Sequence, residues 1–374
     1  MSARGNVTGI ALAAVTDFAA LGERWRALEA QADCSFFQSW TWTGCLAEER
    51  FPDPVLLEAR RDGETVALAL FNRRRFLRET LLLGETGDAV RDTPFIEYNG
   101  VLVARRALPI LRDCLRAARR QPIATRRPWL PRRLVLSGVD IETTDAARAA
   151  GPVTIRRSDP APWIDLAPLR RGGDFLVGLS ANTRYQLRRS DRAYAALGTL
   201  QAHRAATADE AHGWLDEAAT LHQAIWTARG HPGAFAHPFF YRFHHALIDR
   251  GMPRGEIDLL RITAGAQLVG LLYNFRYRGH ALAYQGGFDY AGAGRHQKPG
   301  LTCHHQAIRL AAAAGLDRYD LLAGEGRYKR SLAGDATRLH WLEIGWGGRV
   351  GGLARRAARS FRARWTRAVA RRPS

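Results

Sequence analysis

The sequence predicts an α+β protein with two successive domains of one pattern, each a mixed, mostly antiparallel sheet flanked by helices, and a basic helix after them. Three observations predict this. At 374 residues the chain is longer than one hydrophobic core usually organises. Its 46% hydrophobic and 24% charged residues, with 10 Trp, 15 Phe and 10 Tyr, are those of a globular chain, so global disorder is excluded. The third is that one order of strand-like and helical patterns occurs twice. The expected domains are 1–160 and 161–346, with a tail at 347–374. The boundary falls near 160–168, where Pro160, Pro162 and Pro168 surround Trp163-Ile164-Asp165-Leu166.

In the first half, residues 8–15 read as a strand, 17–32 and 40–50 as helices, and 55–60, 66–73 and 80–83 as strands. A helix at 108–119 and a strand at 133–136 follow. In the second half a strand at 198–204 precedes a helix at 208–229, where Ala211, Leu215, Ala218, Leu221 and Ile225 share one face. Pro238 suits the first position of a helix over 239–249. Runs at 256–262, 266–276 and 280–286 read as a meander, split by Thr263-Ala264-Gly265 and Arg278-Gly279. After a Gly/Pro-rich turn come a helix at 300–314 stopped by Gly315, a strand at 318–322, a short helix near Tyr328 and a strand at 339–344.

Several classes are excluded. No run approaches 18 apolar residues, and no secretory signal opens the chain, so the reading is cytoplasmic and non-spanning. Cys34, Cys45, Cys114 and Cys303 form no CxxC pair and read as reduced core residues. His231, His237, His244 and His245 lack the carboxylate or thiol spacing of a metal site, so no metal is expected. Nucleophile elbow, P-loop and sustained heptad are missing, which removes hydrolase, NTPase and coiled-coil readings.

The net charge of +19 suggests an anionic partner, but it is uneven. No acidic residue follows Glu343, whereas nine arginines do, and subtracting those nine leaves +10. In this tail Leu353, Ala357, Phe361, Trp365 and Ala368 recur at helical spacing, giving an amphipathic basic helix. It either docks on the protein with a solvated basic face or attaches to an anionic membrane surface, which would place the protein peripherally at the inner face; nucleic acid is the weaker alternative. Of the 55 basic residues only Lys298 and Lys329 are lysines. A compact ammonium suits a single phosphate or carbonyl oxygen where the guanidinium fork is too wide.

Particular strings then point to a family. Leu179-Ser180-Ala181-Asn182-Thr183-Arg184-Tyr185-Gln186-Leu187-Arg188-Arg189, Tyr284-Gln285-Gly286-Gly287-Phe288-Asp289-Tyr290 with Lys298-Pro299-Gly300-Leu301, and Gly315-Leu316-Asp317-Arg318-Tyr319-Asp320 with Gly324-Glu325-Gly326-Arg327-Tyr328-Lys329 occur in order over about 175–330. With Ser35-Phe36-Phe37-Gln38-Ser39-Trp40 in the first half, they resemble the tandem GNAT acyltransferases of the CelD-type and Fem-like group. The resemblance implies two GNAT-like domains, the second catalytic. It implies transfer of an acyl group, in the first instance acetyl, from acyl-CoA to an amine or hydroxyl of a sugar, lipid or envelope or polysaccharide precursor. Two alternatives stay open: a Fem-like transferase dependent on aminoacyl-tRNA, and a non-catalytic protein binding an anionic polymer.

The fold so implied holds a pantetheine thioester in a splayed sheet, its pyrophosphate at a helix N-terminus whose free N–H groups and dipole favour anions. Arg295, Gln297, Lys298, Gly300, Leu301 and Thr302 are the cofactor residues expected there; a plain turn capping a helix is the simpler reading. Thr302 stands where the GNAT signature has Gly or Ala. The catalytic candidates are Asp289 for the acceptor proton, Tyr328 for the leaving sulfur, with Glu325 and Lys329 beside it. Asp289 reads equally as a turn carboxylate and Tyr328 as a packed aromatic. Asp320 reads as a helix-capping or salt-bridge residue. Arg184 and Arg188 share a helix face and, with Trp226, Arg229, Tyr284 and Gln285, are the expected substrate-binding residues.

Overall fold

The computed structural model describes residues 7–75, 79–123 and 132–345. The arginine-rich tail, 347–374, lies outside the described residues. In chain order the first half comprises β1 (Val7–Ala14), α1 (Phe18–Glu29), α2 (Trp40–Arg50), β2 (Pro54–Arg61), β3 (Glu64–Arg75), β4 (Glu79–Leu83), β5 (Leu102–Val103), α3 (Leu111–Arg120), β6 (Arg133–Val139), α4 (Ile141–Ala150) and β7 (Val153–Asp165). The second comprises α5 (Ala167–Arg170), α6 (Ala181–Ala195), β8 (Leu200–Arg204), α7 (Ala208–Ala228), α8 (Pro238–Gly251), β9 (Ile257–Ala264), β10 (Gln267–Tyr277), β11 (His280–Phe288), α9 (Pro299–Ala313), β12 (Arg318–Asp320), α10 (Arg327–Leu332) and β13 (Asp335–Ile344).

Helix starts follow local chemistry. Asp17, Ser39, Asp140, Ser180 and Thr207 accept a first-turn N–H of α1, α2, α4, α6 and α7, and Pro238 opens α8 without losing a donor. Asp62-Gly63 and Arg278-Gly279 take positive φ and close the β2–β3 and β10–β11 hairpins.

The strands form one sheet in the order β1-β2-β3-β4-β6-β13-β7-β12-β11-β10-β9-β8, with β5 on β3. The two halves exchange their last strands. β7, which closes the first repeat, pairs with β12 of the second, and β13 pairs with β6 of the first, while β7 and β13 pair with each other. Residue 160 lies inside β7. Its prolines are tolerated because their missing donors face the side where β12 has ended: the carbonyls of Pro160 and Pro162 accept from Gly324 and Leu321. One apolar core serves the first repeat, another lies between α6, α9 and the second repeat's part of the sheet, and an aromatic core joins the repeats, where Phe36 stacks on Phe275 at 4.3 Å.

Candidate active site

Strands β11 and β12 are parallel and pair only through residues 280–282 and 318–320. β11 then continues to Phe288 while the chain after Asp320 stays along β7. The sheet therefore splays, and α9 begins beside the opening ten residues after β11 ends.

Lys298 is the residue before α9, and no side chain caps that helix, which leaves its first-turn N–H groups without a capping partner. Arg295 and Lys298 are exposed. The place of a side chain at Gly300 would lie 3.2 Å from the Tyr290 hydroxyl. These three fit an anion site. The other expected cofactor residues hold the turn together: Gln297 Oε1 accepts from Gly294 N at 2.5 Å, and Leu301 packs on the core. Thr302 is buried, with its Oγ1 2.9 Å from Ser190 and donating to Asp191 at 2.8 Å. Asp191 also meets His305 at 2.7 Å, and Ser190 accepts Lys298 N at 2.8 Å. Ser190 and Asp191 on α6 thus set the angle of α9, and the Thr at the signature's last position is explained by this inter-helix network.

Lys329 sits at the mouth of the splay. Its Nζ donates to the carbonyls of Leu322 and Ala323 at 3.0 and 2.9 Å, and burial holds its pKa below the ordinary lysine value while Glu97 and Asp320 act in the opposite sense. Tyr328 stacks on His304 of α9 with centroids 5.4 Å apart. His304 bonds to the Tyr319 hydroxyl at 2.9 Å, and burial, reinforced by Lys329, pushes it down to about 3.

Asp320 is more than a capping residue. It is buried at the end of β12, accepts the Tyr98 hydroxyl at 2.6 Å and Leu322 N at 2.8 Å, and burial pushes it up to about 7. Tyr98 comes from the first repeat. Beside it Glu97 accepts Ala323 N, and burial raises its carboxyl. Glu97 and Tyr98 escaped the sequence reading because nothing in a linear pattern joins residues 222 positions or more from their partners.

The remaining candidates lie elsewhere. Asp289 caps its own turn, its Oδ1 accepting Gly292 N at 2.8 Å, and Glu325 is exposed. Tyr284 is buried at the seam, its hydroxyl accepting Phe95 N at 2.9 Å, with half-buried Gln285 beside it. Trp226 contacts His222 and His231 near the end of α7, and Arg229 is exposed there. Arg184 and Arg188 line an open groove of about 640 Å³ with Ala181, Tyr185, Asp191 and Arg192. Among the described residues no group of three or more His, Cys, Asp or Glu is placed to hold a metal ion, and no helix is long and apolar enough to cross a membrane.

Residues 181–330 match the family model described as the acetyltransferase (GNAT) domain. Solved structures with the same fold include FemX, with a TM-score of 0.58 at 9% identity over 89% of this chain and 98% of that one. Another is L-PGS from Bacillus licheniformis, with a TM-score of 0.54 at 11% identity over 94% of this chain and 97% of that one. At such identities the likeness is one of fold. No curated protein matches the chain. Residues 181–330 thus form a domain of the acetyltransferase (GNAT) type, within a chain whose fold is shared with FemX and L-PGS.

Proposed function

We propose that this protein moves an acyl group, in the first instance acetyl, from acyl-CoA to an amine or hydroxyl of a sugar, lipid or envelope or polysaccharide precursor, with the reaction seated in the second repeat. The observation carrying this reading is the splay between β11 and β12, with the uncapped start of α9 on one side and Lys329 at its mouth.

In this reading the donor's pyrophosphate lies at the first turn of α9, held by the N–H groups of Gly300 and Leu301 and by Lys298 and Arg295. The acceptor's nitrogen or oxygen attacks the thioester carbonyl, a C–N or C–O bond forms, and the C–S bond breaks. The acceptor's proton passes to Asp320, whose carboxyl near 7 suits a base at neutral pH. Asp320 takes this role in place of Asp289 because it ends β12 at the splay and burial raises its carboxyl toward neutrality. Tyr328 returns a proton to the departing thiolate. The contacts of Lys329 use two of its three donors, and the third serves the charge developing on the thioester oxygen.

A second reading rests on the groove along α6, where Arg184, Arg188 and Arg192 surround the exposed ring of Tyr185. Basic residues interleaved with an aromatic suit a nucleic-acid end, as a Fem-like transferase using aminoacyl-tRNA would require. Titration calorimetry with acetyl-CoA, a longer acyl-CoA and charged tRNA separates the two. Acyl-CoA binding with release of free thiol supports the first reading; binding of charged tRNA alone overturns it. For the arginine-rich tail we propose a membrane role: deleting residues 350–374 should reduce co-sedimentation with anionic vesicles and spare turnover. Equal co-sedimentation of both forms would refute it.

A further inference from the structure

The first repeat contains the counterpart of the splay, and its own chain fills it. β4 and β6 pair in parallel through 80–83 and 133–136 and then part. Between them runs the segment 96–100. Asn99 N donates to Gly138 O at 3.0 Å, Asn99 Nδ2 donates to Leu83 O at 3.2 Å, and Asn99 bridges Val139 in parallel. Gly138, at φ +65°, lies so close to the Ile96 carbonyl that no Cβ fits there. The Ser35–Trp40 string braces the same segment: Ser35 Oγ donates to Tyr98 O at 2.6 Å and Gln38 Nε2 to Val101 O at 3.3 Å.

The strap ends in the other repeat's site. Tyr98 reaches Asp320, and Glu97 takes Ala323 N in the loop whose Leu322 and Ala323 carbonyls hold Lys329. Four non-glycine residues among those described have positive φ. Asp62 and Arg278 belong to hairpin turns; the other two, Tyr98 at +49° and Leu322 at +60°, meet at this junction through Asp320. Backbone held in such conformations is characteristic of sites whose geometry the surroundings over-determine.

We propose that Glu97 and Tyr98 are positioning residues for the second repeat's site: Tyr98 sets the orientation and charge of Asp320, and Glu97 fixes the 322–323 loop and keeps Lys329 charged. A segment occupying the first repeat's own cleft thereby equips its neighbour's. The groups facing Asp320 and Lys329 are Glu97 and Tyr98 on the strap, Arg157 and Asp159 on β7, Arg318 on β12 and His304 on α9. Removing the Tyr98 hydroxyl takes a donor from the Asp320 carboxylate and must raise its pKa; removing the Glu97 charge must lower that of Lys329.

The kinetic arm rests on the acyltransfer reading, whereas a titration arm does not. With only Lys298 and Lys329 to label, biosynthetic ¹³C-lysine gives two side-chain signals in the full chain, assigned with Lys298→Arg. Glu97→Gln should lower the Lys329 midpoint by about one pH unit and leave Lys298 unmoved. Tyr98→Phe keeps the ring; it should lower kcat about 10- to 100-fold at neutral pH, leave the KM for acetyl-CoA unchanged, and move the ascending limb of the pH profile upward. An unmoved Lys329 signal in folded Glu97→Gln, or an unmoved limb in folded, active Tyr98→Phe, overturns the inference. If the wild type neither binds nor turns over acyl-CoA, the functional reading fails, and the Lys329 titration alone decides this one.

Discussion

The two repeats share an order of elements and differ at one connection. In the second, β11 reaches α9 through a ten-residue Gly/Pro turn, and the helix starts uncapped beside an open splay. In the first, the path from β4 to α3 passes through the strap, β5 and a 3₁₀ turn, Arg105–Ile110, that runs directly into the helix. The loop after β4 also supplies its own anion: Asp92 accepts the N–H groups of Thr86 and Gly87, both at 2.7 Å. One architecture thus leaves the cleft open in one copy and fills it with chain in the other. The difference teaches that parallel strands which part expose unpaired main-chain groups, and a protein can satisfy them with its own backbone.

The largest effect expected in a test of this asymmetry is at Lys329. Lys329→Met leaves two carbonyls without their charged donor, and turnover should fall about 10²- to 10⁴-fold with a stability loss of about 3 kcal/mol. Chemical denaturation alongside thiol release checks both, and full turnover in the variant would remove Lys329 from the site. Next, Lys298→Glu should weaken acetyl-CoA binding about 10- to 100-fold, while Asp113→Lys in the first turn of α3 should leave it unchanged. Equal effects at both helices would dissolve the distinction between the repeats. Asp320→Asn should abolish the ascending limb near pH 7, whereas Asp289→Asn, which can still accept Gly292 N, should stay within about threefold of wild-type turnover. The opposite ranking would restore Asp289 as the base.

The smallest effect concerns acid stability. Burial depresses His304, and likewise His222 to about 4, so both stay neutral when folded but bind a proton when unfolded below their ordinary value of 6.5. The unfolded state then holds more protons, and stability should decline as pH falls from about 6.5 toward 4. Melting temperatures flat across that window would show that these rings are accessible to protons.

Much of the second repeat was legible in the sequence because its elements follow one period each. The helix at 208–229 and the three-strand meander are observed within two residues of expectation, as is the α2 segment in the first repeat. α4 and β7 were not read. Two of the three prolines that make 160–168 look like a linker, Pro160 and Pro162, sit in a strand whose neighbour stops short, and Pro168 lies in the first turn of the short helix α5, circumstances a local pattern does not carry. In the site, the Gly/Pro turn and Lys329 stood out by composition. Asp320 reads as a capping or salt-bridge residue, and its contacts with Leu322 N and Arg318 are of that kind; its bond to Tyr98, 222 positions away, is not carried by any local pattern. The Ser35–Trp40 string was recognised, but its work as a brace for the strap shows only in the hydrogen bonds of Ser35 and Gln38.

The stoichiometry of acetyl-CoA binding to the full chain, measured by titration calorimetry, tests the central claim most directly. One molecule should bind per chain; Lys298→Glu and Gly300→Trp should each weaken it, and Asn99→Ala in the strap should leave the count unchanged. Two molecules bound per wild-type chain, or one that survives both substitutions at the start of α9, would contradict the account.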